Sequence, residues 1–340
     1  GTLLGEVRDP SGSIAIEEYL YSLGETVSPI VSKSGHSELL MLGGTPAASR
    51  EYSRRFGPVT PEKVSALKDA LRSSKTEHVV LSSKMLYDSS DAEFIGNLCL
   101  ELDDIFDEAR VIIYLRHQVD HFPHLIAQRV KAGMKNWDQI SAIPDTLYQY
   151  DRICALWDQD IDVTVRDYGR CRNDVVGDFC RVAGLPAPEV KIPKRSHPTM
   201  DVTALHLMMR VNACADPAQD HLRRRVVTEL ERLKLSDQPY TTSPELAAEI
   251  LERFDAGNQR VSNEYLNGVP LSREGKLGPA ASVRNIGHGA GPHCCSIRQG
   301  RLRILADTDR AIDMEARARR RMANGHILSS VNIECDHACA

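Results

Sequence analysis

Short apolar runs rich in β-branched residues alternate with helical patterns through the first half of the chain, and this alternation narrows the fold more than any other feature. The runs are TLLGEV near the start, HVVLSS (78–83), ARVIIYLR (109–116) and DVTVRDY (162–168). Each is brief and rich in β-branched residues, which suits a strand covered on both sides. Between them the spacing predicts helices over 12–23, 61–73 with Pro61 leading, 92–105, and a long one beginning near Asp120. The expected fold class is therefore α/β, a mostly parallel sheet flanked by helices, with ligands bound at the carboxyl ends of the strands. The second half reads as more helical, with segments at 174–183 ending at Gly184, 203–213, 222–233 and 244–266.

Near Ser272 the composition changes. From there the chain is Gly-rich and weakly periodic, then carries the basic stretch DTDRAIDMEARARRRMAN and the tail CDHACA. The expected domains are 1–272, a single α/β unit, and 273–340, a loop-rich extension with one basic helix. At 340 residues there is ample length for a buried core, and a net charge of −5 gives no overall pull toward nucleic acid or an anionic membrane. ARARRR has no interleaved aromatics and reads as a solvated helix face. No apolar run reaches the roughly 20 residues of a membrane span, and the expected setting is soluble and cytoplasmic.

The nine cysteines are an odd number, and Cys99, Cys154, Cys180 and Cys214 fall in helical or apolar segments where a thiol behaves as a small hydrophobe. Cys294, Cys295, Cys335, His337 and Cys339, with His288 and His293 nearby, supply soft ligands. Their spacing fits no standard zinc knuckle, so no metal is expected to be required and structural zinc is the weaker alternative.

The stretch EVRDPSGSIAIEEYL has a strand–turn–helix shape in which backbone amides from Gly12 onward could cradle a phosphate, with Ser11 or Ser13 adding hydroxyls. Read alone, Ser11 or Ser13 is rather an N-cap beside a Pro-Ser-Gly turn. ARVIIYLRHQVDHFPHLIAQRVKAG resembles the second nucleotide-binding segment of the bacterial sulfotransferase-like family, in which a strand ends in Arg and a helix follows. The resemblance continues in order. PSGSIAIEEYL falls on the family's KTGTTSIQxxL loop, GHSELLMLG on its His-containing segment, and HVVLSSKML on its SSE strand end. VTVRDYGR with VVGDFCRVAGL, and GNQRVSNEYLNGVPL, resemble its later segments. Each motif is weak alone; their order and spacing over residues 1 to 272 are more specific.

The resemblance implies a P-loop NTPase-like sulfotransferase architecture. It implies binding of 3′-phosphoadenosine 5′-phosphosulfate (PAPS) and transfer of its sulfuryl group to a hydroxyl or amine of a carbohydrate or small-molecule acceptor. A catalytically inactive member serving as a binding or interaction module is the alternative. Position by position, Ser11, Gly12, Ser13 and Ile14 would face the 5′-phosphosulfate, and Arg116 would hold the 3′-phosphate, a task that suits a planar fork of donors. Lys194 and Arg195 could reach the same phosphate from a loop.

Three positions depart from the family's pattern. Pro10 stands where it has a lysine, His124 where it has a serine, and Lys84 where it has an acid. His124 could donate to a phosphate, and Lys84 could return the missing positive charge. His36 is the first candidate for a base, with a polar turn histidine as its plain alternative. His117 and His121 read as a solvated helix start, and Arg166, Asp167, Tyr168 and Arg170 as a charged turn that could also line the cleft.

Overall fold

The computed structural model describes residues 2–7, 36–83, 86, 91–189, 200–214, 220–233, 235–236, 239–275 and 277. All lie in one compact unit spanning Gly1–Ala281. The loop containing Pro10 and Ser11–Ile14, and Lys84, Lys194, Arg195 and the Cys/His tail, fall outside the described residues.

Four parallel strands form the sheet: β1 (Thr2–Val7), β2 (Val80–Ser82), β3 (Arg110–Leu115) and β4 (Asp162–Asp167), in the order β2-β1-β3-β4. Every pairing among them is parallel. All four expected strands are present, with β2 trimmed to three residues. The described helices are α1 (Leu39–Leu42), α2 (Pro46–Phe56), α3 (Pro61–Arg72), α4 (Ala92–Asp103), α5 (Gln118–Lys131), α6 (Trp137–Ser141), α7 (Asp145–Tyr148), α8 (Tyr150–Trp157), α9 (Tyr168–Cys171), α10 (Val175–Ala183), α11 (Val202–Cys214), α12 (Asp220–Arg232) and α13 (Pro244–Tyr265).

Local chemistry sets the helix ends. Thr45, Thr60 and Ser243 each cap a first turn that opens with proline, where the missing N–H costs nothing. Asp91 and Asp174 cap α4 and α10, and Gly184 closes α10 with φ of 71°. Helix α2 is absent from the sequence expectations because only Ala48 and Tyr52 of its eleven residues are buried.

Strand β3 explains why the sheet needs cover on both faces: five of its six residues are buried. Ile112 and Tyr114 pack with Val176, Phe179 and Cys180 of α10. Alternation turns Val111, Ile113 and Leu115 to the opposite face, and α8 packs on β3 and β4.

The next strand after β1 is β2, on one side of it, and the next after β3 is β4, on the other, so the order reverses between β1 and β3, whose carboxyl ends lie side by side. β1 stops at Val7, three residues before Pro10, and β3 stops at Leu115, immediately before Arg116.

Candidate functional site

Arg116 follows β3, and His117 caps α5 by accepting the Val119 N–H at Nδ1 (3.2 Å). Tyr150 Oη donates to the Arg116 carbonyl at 2.7 Å, fixing the backbone at this corner. The Arg116 guanidinium lies over the Tyr168 ring, 5.7 Å from its centre, with the side chain only 14% exposed. Its Nη2 is 3.5 Å from Glu274 Oε2, while its Nε is buried without a hydrogen-bond partner among the described residues. Arg172 Nη1 approaches the same Glu274 oxygen at 2.5 Å. Beside them opens a pocket of about 180 Å³ lined by Asp120, His124, Tyr240 and Thr241 as well as the two arginines.

The first turn of α5 is held from far along the chain. Gln118 and Asn258 exchange reciprocal amide hydrogen bonds of 2.8 and 3.0 Å. Pro123 inside α5 has no N–H to offer the Val119 carbonyl. Thr242 Oγ1 donates to that carbonyl instead, at 2.7 Å, which stitches the 240–242 wall of the pocket onto the helix. Asp120 accepts the backbone N–H groups of Glu274 (2.7 Å) and Gly275 (2.8 Å). A Cβ at Gly275 would stand 2.6 Å from Asp120 Oδ1, so this close approach requires glycine.

The same segment is tied to β4. Asp167 accepts the Ser272 N–H (2.8 Å) and hydroxyl (2.9 Å), and pairs with Arg170, whose Nη2 donates to the Pro270 carbonyl at 3.0 Å. Arg166 points elsewhere, to Asp178. The charged turn thus divides, with Tyr168 and Asp167 supporting the pocket and Arg166 the core.

His117 and His121 differ from expectation. They are 6% and 4% exposed, not solvated, because the helix start is covered by Tyr148 and the 270–275 segment. His121 Nδ1 lies 2.9 Å from Tyr148 Oη, and burial lowers the His117 pKa. His124 lines the pocket with Arg116.

His36 sits at the carboxyl end of β2. Its own N–H donates to the Ser82 carbonyl at 2.7 Å, and the Ser82 N–H donates to its Nδ1 at 2.9 Å. Nδ1 also lies 3.2 Å from the Ser82 carbonyl, so it accepts from the Ser82 N–H in one tautomer and donates to the carbonyl in the other. Burial lowers the His36 pKa, which favours the neutral form. The pocket beside Arg116 is not lined by His36. Gly43, at the end of α1, allows this segment to lie against α4: a Cβ there would meet the Phe94 ring at 2.2 Å.

Among the described residues no group of three or more His, Cys, Asp or Glu is placed to hold a metal ion, and no helix is long and apolar enough to cross a membrane. Cys99, Cys154 and Cys180 are buried as expected, whereas Cys214 is exposed. Burial pushes the Cys99 thiol up to about 11 and that of Cys171 to about 12, so neither is primed as a nucleophile.

Glu274, Arg172 and Asp120 were not among the sequence candidates. Arg172 had a weak signal, a second basic residue two positions after Arg170 just beyond a strand end. Nothing local marks Glu274, whose partners are more than a hundred residues away.

No family model matches the chain, and no curated protein does. Among solved structures it is similar to the sulfotransferase domain from the Synechococcus PCC 7002 olefin synthase, at 15% identity and a TM-score of 0.33, covering 75% of this chain and 93% of that one.

Proposed function

We propose that this chain is a PAPS-binding protein of P-loop-like sulfotransferase architecture, acting on a hydroxyl or amine of a carbohydrate or small-molecule acceptor. The observation that carries the reading is Arg116. It follows β3 at the point where the strand order reverses, its side chain is largely buried beside a pocket, and its Nε has no partner. A buried guanidinium donor left unsatisfied is costly unless a ligand supplies the acceptor. The 3′-phosphate of PAPS has the oxygens to do so, with His124 on the same wall.

When bound, PAPS would supply an activated sulfuryl group. The chain's own residues would bind and orient it: Arg116 and His124 at the 3′-phosphate, Ser11, Gly12, Ser13 and Ile14 at the 5′-phosphosulfate, and Arg195 from its loop. Lys84 would contribute positive charge in place of the lysine that Pro10 replaces. His36 would serve as the base, with Nδ1 held beside the Ser82 backbone.

The second reading, an inactive member that binds without transferring, is favoured by Pro10, since proline cannot neutralise a leaving oxygen. Titration with 3′-phosphoadenosine 5′-phosphate tests the binding that both active and inactive forms of the reading require. Saturation at a hundred times the dissociation constant stabilises by about 2.7 kcal/mol, seen as a rise in melting temperature. Arg116→Ala should weaken binding by roughly 30-fold or more, the effect of truncating one partner of a buried charge-assisted contact. A wild-type protein with no thermal shift would remove the assignment. Sulfuryl transfer in a labelled-donor assay then separates enzyme from binding module.

A further inference from the structure

We propose that Arg116 and Arg172 together form a subsite for a phosphate monoester dianion, and that the chain's own Glu274 carboxylate occupies it as an internal stand-in. The inference rests on the reading of Arg116 as the holder of a nucleotide 3′-phosphate. It adds a second arginine to that site and names a competitor for it.

The fit of Glu274 is incomplete in an informative way. Both guanidinium groups converge on one carboxylate oxygen, Oε2, at 2.5 Å from Arg172 and 3.5 Å from Arg116. The other oxygen, Oε1, is buried and, among the described residues, has no partner although the side chain is 8% exposed, and Arg116 Nε likewise has none there. A planar carboxylate has two oxygens and here engages donors with only one. A phosphate monoester presents three terminal oxygens in a tetrahedral array, enough to pair with both Nε and Nη2 of Arg116 while leaving an oxygen for Arg172. The adjoining pocket of about 180 Å³, with His124, Tyr240 and Thr241 on its walls, gives room for the group that carries the phosphate.

The segment is held by its backbone, so the exchange requires only the Glu274 side chain to leave. The N–H groups of Glu274 and Gly275 stay on Asp120, and Ser272 stays on Asp167. Keeping Asp120 engaged matters, because the two amide dipoles partly offset the charge that it turns toward an incoming dianion. The ligand thus competes with a tethered carboxylate, and its apparent affinity is lowered by the fraction of time the subsite is vacant.

Calorimetric titration of the whole chain with 3′-phosphoadenosine 5′-phosphate and, separately, adenosine 5′-phosphate tests this. Glu274→Gln, which keeps the shape and removes the charge, should bind the 3′-phosphorylated nucleotide about tenfold more tightly than wild type. Arg172→Ala should bind it about tenfold more weakly. Affinity for adenosine 5′-phosphate should be unchanged in both. Equal affinity of wild type and Glu274→Gln for the 3′-phosphorylated nucleotide would overturn the subsite while leaving the nucleotide assignment standing. If no variant binds that nucleotide, pyrophosphate decides: tighter binding by Glu274→Gln that is lost on adding Arg172→Ala upholds the subsite and removes the PAPS reading, and no binding overturns both. Glu274→Ala, read in the same way, replaces Glu274→Gln should the latter not fold.

Discussion

Asp178 and Glu274 are both buried carboxylates that each draw two arginines, yet they differ in how fully their oxygens are used. Asp178 Oδ1 accepts from Arg166 (2.5 Å) and Arg181 (3.3 Å), and Oδ2 accepts from Tyr114 Oη (2.9 Å) and Arg166 Nε (3.0 Å). Burial and the Asp178 carboxylate together push the Tyr114 hydroxyl pKa upward, so it stays a donor. Both oxygens of that carboxylate are engaged. In the Glu274 cluster one carboxylate oxygen and one guanidinium nitrogen are without partners among the described residues. A saturated buried network rigidifies a core, whereas an unsaturated one retains capacity for a ligand.

The largest effect expected from breaking this contrast is at Asp178. Asp178→Ala strands Tyr114 Oη and leaves a half-buried Arg166 unpaired, and should cost about 3–5 kcal/mol in denaturant unfolding. A loss below about 1 kcal/mol would show that the saturated cluster is not structural. Thr242→Val is a smaller break on the pocket side. It leaves the Val119 carbonyl, already deprived by Pro123, without a donor, and should cost about 1–3 kcal/mol while also weakening nucleotide binding through the displaced 240–242 wall. Stability loss without any change in affinity would separate that wall from the site.

The smallest effect is a pH dependence. Burial lowers the pKa of His36 from its ordinary 6.5, so the folded state binds fewer protons there than the unfolded state. Its contribution is present above the unfolded value and is lost as pH falls through the folded one. The buried Glu38 carboxyl, shifted upward by burial, acts in the opposite sense. Comparing His36→Asn with wild type isolates the histidine: between roughly pH 7 and 5.5 the variant's melting temperature should fall less steeply. Parallel slopes would mean that His36 charges freely in the folded protein.

The sheet was legible in the sequence because each strand is a local run of β-branched residues, and Arg116 was legible because it follows one directly. His124 was placed near it by the resemblance, at the position where the family has a serine, and it lines the same pocket. Burial of His117 and His121 was not legible, since their cover comes from Tyr148 and from residues 270–275. Arg172 and Glu274 were missed for the same reason: their pairing spans 102 positions, and no periodicity within a single element encodes it.

The anchoring of α5 has a consequence for the order of assembly. Its first three residues take partners 140, 123 and 154 positions away, in Asn258, Thr242 and Glu274. β3 and β4 can pair once residue 167 has been made, but the turn beside Arg116 cannot be completed until synthesis has passed residue 274. Such distant closures are slow relative to local ones. The nascent sheet therefore forms ahead of the corner around Arg116, and a chain that stalls between those points carries the scaffold without the contacts that hold the first turn of α5 in place.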